Sequence, residues 1–319
     1  MNAPTFAHIS LENIDDTGKY SLHPFFGPED VSDVSADLQN SVALCGILTP
    51  PVVVAQSEGR YELVCGRQRL LCTSAIHNHS SCLCRVLPET VTVEDILTCV
   101  IEDQCASGGV RIMEQAIFVG LCRDMIDDRG RMEKFIRSLP PGRITKGSHF
   151  LLQLSQLDDR LKTAVHKGIV SERILGDLHS LTENDRLRFA GLAEELRLGA
   201  NQQKKLISQL ADICARQGIG LDTLLREDSL RTPLEDPLCA TPQKTDRFIQ
   251  AVGRLSHPSL TRATESFVAE VRALNLPEGC ALAPSPSFER DEVHFSARFA
   301  NLREFQDFWK IMSKAITDR

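Results

Sequence analysis

The stretch YELVCGRQRLLCTSAI, residues 61–76, decides the reading of the first third of the chain. Tyr61 to Cys65 is a short run of strand formers, Gly66 breaks it, and the residues from Arg67 onward read as the first turns of a helix. A strand that stops at glycine and passes into a helix offers backbone N–H groups at the helix start, and Arg67 and Arg69 place guanidinium groups beside them. That layout suits a phosphate. A plain solvated turn is the other reading, because arginine is mostly a surface residue and the sequence around this turn is acidic.

Outward from this turn the elements alternate. ISLENI (9–14) is a short extended segment, residues 30–43 form a helical stretch ending at Cys45-Gly46, and ILTPPVVVA gives a strand entered from a rigid double proline. CLCRVLP is a further strand. VTVEDILTCVIED is a helix by the spacing of Val93, Ile96, Leu97 and Val100. These elements make an α/β head over residues 1–108.

After Gly108-Gly109 the pattern is helical alone, with apolar residues at i, i+3 and i+4 through residues 109–225. Residues 226–243 hold three prolines and little periodicity and read as a linker. Residues 244–319 return to helix, then give a proline-rich loop (LAPSPS), an alternating strand (VHFSARF) and a last helix. Val293, Phe295, Ala297 and Phe299 are expected to bury one face beneath Phe305, Phe308, Trp309 and Met312. Two readings remain for this tail: a small self-contained core, or a dimer interface, since one strand and one helix make a small core. The fold class is α+β and multidomain: a small α/β head, an all-α middle and a small α/β C-terminal module.

The chain has 319 residues, 42% hydrophobic and 25% charged, an ordinary composition for a soluble globular protein. No apolar run is long enough to cross a membrane, so no membrane partner is expected. The acidic N-terminus lacks the apolar core of a secretory signal, which points to the cytoplasm and to reduced thiols for the eleven cysteines. Cys82-x-Cys84 is too tight for a zinc knuckle, and no metal site is expected. The net charge of −7 is unevenly spread. Residues 1–110 carry five Lys/Arg against fourteen Asp/Glu, whereas residues 131–173 carry nine against four. A basic middle beside an acidic head is the polarity of a phosphate-binding surface.

Within that basic stretch, MEKFIRSL and SHFLLQLSQL are two helices joined by a turn containing PPGRITKG. In a helix-turn-helix the second helix enters the major groove with its N-terminal residues at base edges. That places Arg143, Thr145, Lys146, Ser148 and His149 toward DNA, with Arg131, Lys134 and Arg137 toward phosphates, while Phe150, Leu151, Leu154 and Leu157 face inward. The alternative is a helical bundle with a basic exposed turn, and this turn is longer than the usual three or four residues.

The order of these parts resembles the ParB family over about residues 8–213. ISLENI, GILTPPVVV, YELVCGRQRLLCTSAI and VIEDQ are similar to its ParB/sulfiredoxin-like head, and FLLQLSQLDDRLKTAVHKGIVSERILGDLHSL to its helix-turn-helix domain. The linker and tail echo the family's C-terminal dimerisation module. The resemblance implies a cytoplasmic, nucleoid-associated homodimer that binds double-stranded DNA in chromosome or plasmid partition, or in related regulation, with a ParA-type ATPase as partner. It also implies CTP with Mg²⁺ at the Gly66 turn.

Of the family's nucleotide motif, Gly66 and Arg69 match, while Arg67, Gln68 and Leu71 stand where the family has other residues. In a second motif Glu102 is kept, an amide is replaced by Asp103 and an arginine by Ala106. Gly66, Arg67, Arg69 and Glu102 are thus the nucleotide-site candidates, in a pocket expected to be degenerate. No catalytic residue is assigned. The sulfiredoxin nucleophile position is Arg67, and Cys65 lies on the strand, pointing into the core. A CTP-hydrolysing switch at the Gly66 turn and a ligand-free adaptor stand as the alternatives to a DNA-binding protein.

Overall fold

The computed structural model describes residues 5–24, 34, 36–77, 80–237, 239–277, 279–285 and 292–317. The architecture is α+β, and the chain divides into two compact units, residues 1–204 and 205–319.

The first unit opens with β1 (Thr5–Ser10), β2 (Ile14–Asp15), α1 (Ala36–Cys45), β3 (Val52–Ala55), β4 (Tyr61–Cys65), α2 (Arg67–His77), β5 (Ser81–Leu87) and α3 (Val93–Ala106). The strands form one sheet in the order β1-β5-β3-β4-β2. β3 lies antiparallel to β4 and parallel to β5, so the proline-led strand sits at the centre. The apolar runs explain this place: Val53, Val54, Leu63, Val64 and Cys65 are all buried. Ile9, Ile14, Val53, Leu63, Leu70, Cys82 and Cys84 form one core cluster, and Val34, Val42 and Cys72 a second under α1 and α2. The expected segment 9–14 is divided between β1, a single 3-10 turn and β2. Residues 30–33 of the expected first helix lie outside the described residues.

Seven helices follow: α4 (Ile112–Met125), α5 (Arg129–Ser138), α6 (Ser148–Ser155), α7 (Asp159–His166), α8 (Leu175–His179), α9 (Glu183–Glu195) and α10 (Ala200–Gln217). Nine of the fourteen residues of α4 are buried, so it is an interior helix and not an amphipathic one. α6 packs closely on it. A Cβ on Gly120 of α4 would stand 3.1 Å from the Ser155 side chain of α6. Asp158, Ser171 and Thr182 cap the N-termini of α7, the 3-10 turn before α8, and α9, each accepting a backbone N–H.

In the second unit, α11 (Leu221–Leu225), α12 (Asp228–Glu235), α13 (Thr241–Ser256) and α14 (Pro258–Ala273) precede a two-stranded sheet, β6 (Cys280–Pro284) with β7 (Val293–Ala297), and α15 (Leu302–Thr317). The stretch read as a linker therefore contains α12, with Leu230 and Leu234 buried. Pro233 misled the reading because a proline tolerated inside a short helix looks like a breaker. The first part of the expected proline-rich loop is strand, ending at Pro284, the last residue of β6.

The expected burial of the β7 face does not occur. Val293 is 57% exposed, Phe295 46%, Phe305 41% and Trp309 57%. The rings touch one another, Phe299 to Phe308 at 5.1 Å and Phe299 to Phe305 at 5.4 Å between centroids, but no third layer covers them among the described residues. The side chain of Met312 lies outside those described.

Candidate nucleic-acid interface and the Gly66 turn

Gly66 joins β4 to α2 with φ +93°, a backbone that glycine adopts without strain. A Cβ there would lie 3.0 Å from the Pro51 Cα and 3.3 Å from the Arg69 guanidinium carbon. The glycine is thus required by the strand-leading proline packed against it. Arg69 donates from Nη2 to both oxygens of Asp103 at 2.6 and 2.7 Å, and from Nη1 to the Thr49 carbonyl at 2.8 Å. Arg67 donates from Nε to Asp16 at 2.9 Å. Gln68 is exposed. The two arginines that the sequence offered to a phosphate already face carboxylates of the same fold.

An anion at this turn would have to displace Asp103 and Asp16 from their arginines. The turn does not hold a reactive thiol. Burial, with the Asp103 charge adding, pushes the Cys65 thiol well above its ordinary range, so it stays protonated.

The remaining nucleotide-site candidate, Glu102, points elsewhere. It accepts from Arg143 Nε at 2.9 Å and from Nη2 at 2.7 Å. Those hydrogen bonds hold its carboxyl below the usual glutamate range. Consecutive residues of α3 therefore clamp two turns far apart in the chain: Asp103 holds the Gly66 turn, and Glu102 holds the turn between α5 and α6.

The basic candidates fall into two groups. Arg143, Thr145 and Arg131 are engaged with the fold. Thr145 donates through its N–H and its hydroxyl to the Gln115 Oε1 at 2.9 and 3.0 Å. Arg131 donates to Glu94 of α3 at 2.5 Å. Expected at base edges or phosphates, these three fasten the α5–α6 region to α3 and α4 in the absence of DNA.

Lys134, Lys146 and His149 are exposed and form no ion pair among the described residues. One groove between α5 and α6 is lined by Arg129, Arg137, Ser148, His149 and Leu152, with Glu133 on its wall. Glu133 meets both arginines, Arg129 at 3.3 Å and Arg137 at 2.9 Å, so two guanidinium groups share one carboxylate and the groove keeps an excess of positive charge. Both arginine side chains are 77% exposed, where such pairs are weak and yield readily to another anion. Leu151 and Leu154 of α6 are buried as expected, whereas Phe150 is half-buried.

Sequence reasoning missed the buried polar groups that organise this unit. Gln115 of α4 is 4% exposed and donates to the Val110 carbonyl while it receives Thr145. Gln203 is 1% exposed and ties the Ile169 and Leu198 carbonyls to the Ser171 N–H. His166 lies against His23, ring centroids 4.5 Å apart, and 4.0 Å from Glu114. Burial drives both of that last pair toward neutrality, pushing the Glu114 carboxyl up and lowering His166 to about 4. The signal was available in part, since Glu114 and Gln115 interrupt an otherwise apolar helix.

The first unit is thus an α/β sheet head whose glycine turn is paired with its own carboxylates, followed by helices with a basic groove. Solved structures similar to it include the C-terminally truncated chromosome-partitioning protein ParB from Caulobacter crescentus. The form complexed with CTP-gamma-S matches at 14% identity and a TM-score of 0.26, covering 59% of this chain and 98% of that one. The form complexed to the centromeric parS site matches at 14% identity and a TM-score of 0.34, covering 64% and 99%. No protein-family model and no curated protein matches the chain. At such identity and superposition the likeness carries no function, which rests on the residues. No helix among the described residues is long and apolar enough to cross a membrane.

Proposed function

We propose that this chain is a ParB-like, sequence-specific DNA-binding protein of the partition type whose Gly66 turn is a structural joint and not a nucleotide site. The observation that carries the reading is the α5–α6 groove, which Ser148 and His149 line together with Arg129 and Arg137, two arginines that share the single carboxylate of Glu133. In this reading α5 and α6 act as a helix-turn-helix. α6 presents Ser148 and His149 to base edges from its N-terminal turn, and Lys134, Lys146 and Arg137 take phosphates. The basic balance of residues 131–173 supplies the sequence-independent part of the affinity, and the acidic head limits binding outside the groove.

The self-paired state of Arg67 and Arg69 supports a head that keeps its turn for folding reasons. Self-association belongs to the second unit. The exposed Val293, Phe295, Phe305 and Trp309 form an apolar face on β7 and α15 of the kind that a second copy covers. Two copies would present two α6 helices to a palindromic site.

The test is selection of duplexes from a random pool by the full chain, followed by anisotropy on the enriched duplex and on a shuffled version. A preference of tenfold or more for the enriched duplex is expected. Equal affinity for the two contradicts sequence-specific binding.

A further inference from the structure

α3 carries carboxylates at both ends that engage the basic helical region across the fold. Glu94, in its first turn, takes Arg131 from the first turn of α5, and Glu102, two turns further on, takes Arg143 from the α5–α6 turn. The contacts are specific. Arg143 presents two nitrogens to two carboxylate oxygens at 2.9 and 2.7 Å, and Arg131 directs both Nε and Nη2 at one oxygen of Glu94 at 2.5 Å. The Arg143 pair has the two-to-two fork geometry by which arginine binds a phosphate, whereas Arg131 chelates a single oxygen.

Both pairs are open to solvent at their edges. Arg131 is 61% and Arg143 29% exposed, and Glu94 and Glu102 are 25% and 37% exposed. A polyanion can therefore reach the guanidinium groups without unfolding the unit. Three of the four carboxylates of α3 hold arginines: Asp103 takes one of the head, whereas Glu94 and Glu102 take arginines of the helical region.

We infer that Glu94 and Glu102 are an internal substitute for nucleic-acid phosphates, a latch that holds Arg131 and Arg143 away from DNA until a duplex phosphate takes each carboxylate's place. The inference rests on the DNA-binding reading above. The latch sets a threshold. Short or weakly charged anions do not repay the loss of two charged pairs, whereas a duplex that has seated in the α5–α6 groove presents enough phosphates to exchange them. Exchange frees α3 from α5, so DNA binding and the docking of α3 on the helical region oppose one another.

The experiment compares the wild-type full chain with the Glu94→Gln/Glu102→Gln double variant, using anisotropy on a labelled random-sequence duplex and on heparin across a salt series. Glutamine keeps the size and one acceptor of each residue, and circular dichroism melts report whether both proteins fold. The latch predicts about five- to tenfold tighter binding by the variant to both polyanions, with a steeper salt dependence. It also predicts that adding Arg143→Ala to the variant cancels a large part of the gain. Wild-type binding that the folded variant does not improve overturns the latch and leaves the DNA reading standing. Failure of both folded proteins to bind either polyanion overturns both. If the variant does not fold, Arg131→Gln/Arg143→Gln with Glu94 and Glu102 intact gives the same decision, because the latch then predicts weaker duplex binding and no change indicates a purely structural pair.

Discussion

Glu102 and Asp103 are neighbours on α3, and they hold arginines from two separate turns of the first unit: Arg143 at 2.7 Å and Arg69 at 2.6 Å. A dipeptide therefore connects the Gly66 turn to the turn that leads into α6. Because the hydrogen bonds from Arg143 hold the Glu102 carboxyl below the usual range, its titration reports the pair directly. Carboxyl-detected NMR should find Glu102 titrating below an exposed glutamate in the wild type and moving upward in Arg143→Ala. The sign follows from linkage: a depressed carboxylate contributes stability above its unfolded value, which is lost as pH falls through its folded one. The same midpoint in both proteins would contradict the pairing in solution.

Gly66→Ala should destabilise the first unit by about 2–3 kcal/mol, since it combines a positive φ with a Cβ pressed against the Pro51 backbone. Urea unfolding measures it. A loss below about 0.5 kcal/mol would mean that the turn relaxes and that the glycine is kept for another reason.

Calorimetric titration of the full chain with CTP and Mg²⁺ should give no binding heat, because Asp103 and Asp16 occupy Arg69 and Arg67. Saturable heat that disappears in Arg69→Ala would restore the nucleotide switch as the function of the turn.

The buried His166 makes the fold acid-sensitive. Its pKa is lowered from 6.5 to about 4 by burial first, then by His23 and Arg111. The unfolded chain therefore binds a proton that the folded chain refuses. The stability contributed is fully present above about pH 6.5 and is lost as pH falls toward 4, about 2 kcal/mol of it by pH 5. Glu114, pushed up by burial, acts in the opposite direction just above its ordinary value, and removing His166 leaves that term alone. Urea midpoints at pH 7 and pH 5 should differ in the wild type and much less in His166→Gln. An equal difference in both would place the acid sensitivity elsewhere.

Trp309→Glu combined with Phe305→Ser should convert a dimer to a monomer by light scattering after size exclusion, with α-helical content retained. The variant removes aromatic groups that are 57% and 41% exposed in the single chain. A variant that stays dimeric, or a wild type that is monomeric at micromolar concentration, would remove the second unit as the source of self-association.

Much of the head was legible because each strand there is short, apolar and punctuated. The double proline before Val52, Gly66 after Cys65 and the Val93, Ile96, Leu97, Val100 spacing mark elements that the structure contains. The α12 helix was not legible, because Pro233 and its neighbouring prolines imitate a linker while Leu230 and Leu234 supply only one buried stripe. Among the site residues, Lys134, Lys146 and His149 were read as surface cations and are exposed. Arg143 and Arg131 were read the same way, with Thr145 beside them, and all three are hydrogen-bonded within the fold. Composition gives the charge of an arginine but not its partner, and Glu94, Glu102 and Gln115 reach them only after folding across 30 to 41 positions of chain. The tail face stood between two readings for a related reason: alternation states that one side of β7 is apolar without saying whether the same chain covers it.

DNA binding by α5, α6 and the turn between them is decided by comparing Lys134→Ala/Lys146→Ala/His149→Ala with the wild type on the selected duplex through a salt series. These residues hold no ion pair among the described residues, so the variant should fold and melt as the wild type does. The variant should bind at least about tenfold more weakly, with a log–log salt slope shallower by about two, the share of two lost phosphate contacts. Unchanged affinity and slope in the folded variant would contradict DNA binding by these elements.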